Sequence, residues 1–130
     1  MIGTKGKGPS QRQLRVGEEI RHILAEVLSR GHSGDELLDR SSITVTEVRV
    51  SPDLQNATVF VVPLGGLHVP EILAAFKERA WYFRREVAHK LQTRIAPRLV
   101  FQADLTFDEA QHIESLLRSP KVKRDIDGKD

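Results

Sequence analysis

The chain has 130 residues, no cysteine, 20 Lys and Arg against 18 Asp and Glu, and a formal net charge of +2. That length carries one modest core, and the lack of cysteine excludes disulfides and thiolate metal sites and fits a reducing cytoplasm. The basic start MIGTKGKGPS has no apolar segment behind it, unlike a signal peptide, and no apolar run nears the roughly 20 residues of a membrane span, so the chain reads as soluble, cytoplasmic and without membrane contact.

Residues 1–9, rich in Gly and Lys, are expected to form a disordered arm, residues 10–118 one folded domain, and residues 119–130 a charged tail too polar to bury. Ser10 and Gln13 have capping-box spacing. The helix they open carries Ile20, Ile23, Leu24, Val27 and Leu28 on one face and stops near Arg30-Gly31. Arg12 and Arg15 sit in its first turns, where cations oppose the helix dipole. Residues 32–42 form a polar loop with a short turn through Glu36-Leu37-Leu38. Ile43 to Val50 is a β-branched strand whose alternation changes phase near Thr46-Glu47, the mark of a bulge. Ser51 to Asn56 is the turn of an antiparallel hairpin. Ala57 to Leu64 is apolar at nearly every position and therefore central in its sheet.

From Pro70 to Arg98 the pattern becomes helical. Ile72, Phe76, Ala80, Phe83, Val87 and Leu91 form one stripe at ~100° per residue. Pro70 suits a helix start and Pro97 a helix end. Such a stretch is long beside the ~11–12 residues of an average helix. A break is predicted within Arg79 to Phe83, with the crowded run Trp81-Tyr82-Phe83 its natural place. The stretch holds seven Lys and Arg against three Glu, whereas residues 99–130 are net acidic. Lys77, Trp81 and Arg85 recur at i, i+4 and i+8 with Arg84 beside them, well away from the buried stripe. An aromatic ring among cations suits stacking on bases and pairing with phosphates. The alternative is that Trp81 folds over a neighbouring strand and the cations form a solvated face. Lys90, Arg94 and Arg98 extend the basic set, and Arg12 and Arg15 are further candidates.

A third strand follows at Arg98 to Leu105, with Leu99, Phe101, Ala103 and Leu105 on one face. Asp108 then caps a short helix bearing Ile113, Leu116 and Leu117. Nothing in this α+β order reads as an active site. The five histidines are scattered without metal-ligand spacing, and no phosphate loop, nucleophile elbow or dinucleotide fingerprint is present. Gly65-Gly66 reads as a simple turn. No cofactor, metal or enzymatic activity is expected.

Several strings together resemble the ribosome-binding factor A family, bacterial assembly factors of the small ribosomal subunit. They are RQLRVGEEIRHILAEVL, VTEVRVSPDLQNATVFV, AWYFRREVAHKLQTRIAPRLVF, and the D-x-x-x-D-E-A-x-x-I-x-x-L-L pattern from Asp104 to Leu117. The resemblance covers about Ser10 to Leu117. It implies a type II KH-like fold, a three-stranded sheet with helices on one face in the order α-β-β-α-(kink)-α-β, plus the short last helix. It also implies a non-catalytic, monomeric RNA-binding protein. Its partners would be free small subunits and their ribosomal RNA, in late maturation, RNA processing and growth in the cold. The family kink, Ala-x-Gly, falls on Ala80, Trp81 and Tyr82. Tyr82 stands where glycine is common, which leads one to expect a bulkier aromatic surface from Trp81-Tyr82. The resemblance favours RNA contact at Lys77, Trp81, Arg84 and Arg85. The competing possibility is a small α+β protein-interaction module that docks through its sheet without touching RNA.

Overall fold

The structure, a computed structural model, describes residues 8–91 and 95–106. Helix α1 spans Gln11–Arg30 and is fixed at both ends by its own sequence. Ser10 Oγ accepts from the Gln13 amide at 3.1 Å, and Gln13 Oε1 accepts from the Ser10 amide at 2.9 Å, which completes the capping box. Gly31 closes the helix in the left-handed conformation, donating its N–H to Leu28 O, a role that glycine fills without a Cβ clash. Val16, Ile20, Ile23, Leu24 and Val27 face the core.

Strands β1 (Ile43–Val50) and β2 (Asn56–Pro63) pair antiparallel, and β3 (Arg98–Ala103) adds to β2 in parallel, giving the order β1-β2-β3. The bulge lies where the phase change predicts it. Val45 faces Val61 and Glu47 faces Phe60, leaving Thr46 as the extra residue. It keeps Ile43, Val45, Val48 and Val50 on the helix side despite the phase shift. Ala57, Val59 and Val61 of the central strand are all at most 1% exposed. Parallel pairing of β2 and β3 requires a crossover, which helices α3 (Val69–Glu78) and α4 (Ala80–Lys90) supply.

Both crossover helices rest on one aromatic contact. Phe76 of α3 stacks on Phe101 of β3 with centroids 4.2 Å apart, and Phe83 of α4 meets the same ring at 5.7 Å and Phe76 at 5.3 Å. Strand β2 ends at Pro63 rather than Leu64, which is 75% exposed in the turn that follows, and three further boundaries differ from expectation. Pro70 is the second residue of α3, after Val69. Helix α4 ends at Lys90, ahead of Pro97, because Leu91 turns extended and enters the core. Strand β3 ends at Ala103 and leaves Leu105 exposed, since Asp104 accepts from Thr46 Oγ1 and the Thr106 amide and turns the chain away. The expected helix after Asp108, the charged tail and residues 1–7 of the N-terminal arm lie outside the described residues.

The polar loop after α1 is more ordered than its composition predicts. It contains helix α2 (Glu36–Arg40), capped by the Asp35 side chain on the Leu38 amide. The Asp39 carboxylate accepts from the Ser33 hydroxyl at 2.6 Å, the Ser33 amide at 2.9 Å and the Gly34 amide at 3.3 Å. Burial is the largest single influence on Asp39 and opposes its charge, but these bonds together outweigh it and hold its pKa below the usual value.

This packing can be tested at two positions. A Cβ at Gly17 would lie 2.6 Å from Val48 O, a backbone atom that cannot step aside. Helix propensity favours Gly17→Ala by ~1 kcal/mol, yet overpacking should make the variant less stable by ~1–3 kcal/mol, as chemical denaturation would measure. An Asp39→Asn variant tests the carboxylate cluster. A lowered folded pKa gives stability that is complete above the unfolded Asp value of 3.8 and is lost as pH falls through the folded pKa. The variant should therefore be less stable than the parent chain at pH 7, with the gap closing below about pH 4. A gap of equal size at both pH values would refute that role.

Candidate nucleic-acid interface

The helix break falls on Arg79, at the front edge of the predicted stretch and one residue before Ala80. Its φ of −102° and ψ of 16° lie outside the helical region but are open to any L-residue. Its amide still bonds to Ala75 O at 2.9 Å, and its carbonyl accepts from the Tyr82 amide at 2.9 Å. One residue thus closes α3 and opens α4. Ala80, Trp81 and Tyr82 form the first turn of α4, so Tyr82 is helical and unstrained. Nor does it enlarge the aromatic surface. Tyr82 is 8% exposed and packs edge-on against Phe83 at 5.1 Å, whereas Trp81 is 53% exposed.

Around Trp81 the cations are ordered. The guanidinium carbon of Arg79 lies 4.9 Å from the centre of the indole and that of Arg85 5.1 Å, both within cation–π range. Arg84 turns the other way. Its Nε and Nη2 donate to Ala96 O at 3.3 and 3.1 Å, tying α4 to the segment that enters β3. Trp81, Arg84, Arg85, Ala88 and Ala96 line an open hollow of about 420 Å³. A neighbouring groove of about 500 Å³ runs between α3 and β3, with Leu73, Ala80, Leu99 and Phe101 in its walls and Lys77 and Arg98 among its lining residues. Arg12 of α1 lines a different recess, with Asp53, Leu54 and Ile95. Lys90 is exposed at the end of α4 and Arg15 in the early turns of α1. Arg94 lies outside the described residues.

The carboxylates that form salt bridges do so with other cations. Glu18, Glu26, Glu36, Glu47 and Glu86 pair with Arg21, Arg30, Arg40 and Arg49. Among the described residues, no salt bridge within 4 Å engages Lys77, Arg79, Arg84, Arg85, Lys90 or Arg98. The first turn of α4 contains no acid. No group of three His, Asp or Glu side chains that could hold a metal occurs among the described residues, and none of their helices is long and apolar enough to cross a membrane.

Arg79 is the residue that the sequence pattern leaves out of the site. Its Nε donates to Ser33 O at 2.9 Å, across 46 positions of chain. A Cβ on Gly34 would meet its Nη2 at 2.5 Å. Local periodicity holds no sign of that long-range contact. The only trace in the sequence is Gly34 itself, whose φ of +90° favours glycine.

Comparison with known proteins is consistent across the chain. The family profile described as ribosome-binding factor A matches residues 12–117. A Paramagnetospirillum magneticum protein named ribosome-binding factor A is 58% identical over 121 residues, covering 93% of this chain and 85% of that protein. The solution NMR structure of a Thermotoga maritima candidate ribosome-binding factor A aligns with a TM-score of 0.60 at 26% identity, over 75% of this chain and 91% of that one. A Thermus thermophilus ribosome-binding factor A homology model, fitted into a cryo-EM map of its complex with the 30S subunit, has the same fold. Its TM-score is 0.55 at 23% identity, over 68% of this chain and 91% of that one. With a profile spanning nearly the whole chain and a relative of this identity, the protein belongs to the ribosome-binding factor A family.

Proposed function

We propose that this chain is a non-catalytic assembly factor that binds the free small ribosomal subunit and its RNA, rather than intact ribosomes. It acts as a cytoplasmic monomer in late subunit maturation and ribosomal RNA processing, and supports growth in the cold. The observation that carries this reading is the set of cations around the α3–α4 break, which the described carboxylates leave unneutralised. Guanidinium and ammonium groups without a carboxylate partner, held on a rigid surface, attract phosphates, and each phosphate they neutralise releases counterions. Family membership supports the ribosomal partner, as does the Thermus relative's fit in a 30S complex.

A second reading, docking on a protein through the sheet, is favoured by the face of the sheet away from the helices. There Val100 is 46% exposed, and Phe60 is covered by the Arg49 guanidinium at 5.0 Å.

Co-sedimentation through a gradient, from low to moderate salt, separates the two. The parent chain should travel with free small subunits, be absent from intact ribosomes, and dissociate as salt rises. Replacing Arg84 and Arg85 together by Gln should weaken binding and reduce the salt slope by about one for every phosphate that the variant no longer neutralises. A chain that stays at the top of the gradient even at low salt would sink the RNA reading and favour sheet docking. An Arg84→Gln/Arg85→Gln variant with parental affinity and slope would show the surface to be misplaced.

A further inference from the structure

Trp81 looks at first like a stacking platform for a base. Its surroundings point elsewhere. Two guanidinium carbons already lie within 5.1 Å of the indole centre, so they are at most about 10 Å apart, and each takes part of a ring that is otherwise 53% exposed. Both are held there. Arg85 also lies over the Tyr82 ring at 5.8 Å, and Tyr82 is locked in the core. Arg79 is fixed by the Ser33 carbonyl, and Ser33 is 3% exposed and bound to Asp39 by both its hydroxyl and its amide.

We infer that Arg79, Trp81 and Arg85 form a clamp for the sugar–phosphate backbone of RNA, in which the indole spaces and orients two guanidiniums instead of stacking on a base. Resting on the RNA-binding function proposed above, this adds Arg79 as a contact residue and makes phosphate the group recognised at Trp81. Planar guanidiniums suit the task because each offers paired N–H donors to a phosphate, and a stacked one is already oriented. The Nε of Arg79 is committed to Ser33 and its Nη2 packs against Gly34, which leaves Nη1 as the donor available to a phosphate. The loop from Gly31 to Asp35, together with α2, positions that guanidinium: Asp39 holds Ser33 and Gly34, and Ser33 holds Arg79.

The test is binding of purified small ribosomal subunits across a salt series. It uses the full chain and its Arg79→Gln, Arg85→Gln, Trp81→Leu and Trp81→Leu/Arg79→Gln variants. Each single substitution should weaken binding roughly three- to tenfold and lower the salt slope by about one. The double variant should be weakened by less than the product of its two parents, because both remove the same interaction. If Trp81→Leu weakens binding but keeps the parental slope, the ring stacks on a base and the clamp is wrong. Parental affinity and slope in Arg79→Gln would also overturn it. Should Arg79→Gln fail to fold, the slope of Trp81→Leu, at an exposed position, decides alone. A parent chain that binds no subunits would remove the RNA-binding reading and the clamp with it. One that binds with all variants unchanged removes the clamp only.

Discussion

The three-ring contact of Phe76, Phe83 and Phe101 is the constraint on which the rest of the molecule depends. Phe76 and Phe83 lie on opposite sides of the break, and both press on one ring of the edge strand. Aromatic pairs add ~0.5–1.5 kcal/mol each beyond the area they bury, and truncating a buried Phe typically costs ~3–5 kcal/mol. The contact therefore does more than fill the core. It fixes how α3 and α4 diverge at Arg79, and so which side chains of the first turn of α4 face outward. Phe76 and Phe83 are fully buried, and the same geometry turns Trp81 and Arg85 to solvent.

Placing cations together has an electrostatic cost that the fold manages locally. At the greatest separation the geometry allows, about 10 Å, two unit charges repel by ~0.4 kcal/mol in water and ~1.7 kcal/mol at an effective dielectric of 20, and by more if they lie closer. Each guanidinium over the indole regains ~0.5–1 kcal/mol at an exposed site. Trp81 therefore offsets at least part of the repulsion without a carboxylate. A glutamate beside Arg85 would stabilise the free chain more, but it would neutralise the surface. The glutamates instead pair with arginines of α1, α2 and β1, and Glu86, although on α4, reaches across to Arg30.

How much of this was legible in the sequence depends on how local each cause is. The capping box at Ser10, the Gly31 stop, the bulge at Thr46 and the central place of β2 are set by neighbouring residues, and the pattern shows them directly. The end of α4 was not legible. Pro97 forbids helix at the residue before it, but the earlier turn at Leu91 comes from the pull of the core. The parallel placement of β3 likewise depends on the crossover, which no strand pattern encodes. For the candidate site, periodicity puts Lys77, Trp81 and Arg85 on the polar side of the stretch. It does not separate Tyr82 from the exposed ring beside it. The stripe correctly marks Ile72, Phe76, Phe83, Val87 and Leu91 as core on both sides of the break, but it does not include Tyr82, which is buried beside Phe83.

Tyr82, at the position where the resemblance leads one to expect glycine, bears on what this corner can offer a ligand. A glycine in such a turn usually supplies a positive φ or a close approach of backbone to ligand. Here no residue from Arg79 to Tyr82 has a positive φ, so the backbone needs nothing that only glycine provides. Arg79 makes the break with an ordinary conformation, and its side chain is secured by Ser33 and the indole. In the proposed clamp, what a bare backbone would offer a ligand by proximity would come instead from guanidiniums held on a fixed base. A side chain reaches farther than a backbone amide and carries a full charge, so attraction at this corner rests more on phosphate than on close fit. Its strength should accordingly respond to ionic strength more steeply than that of a corner built on glycine.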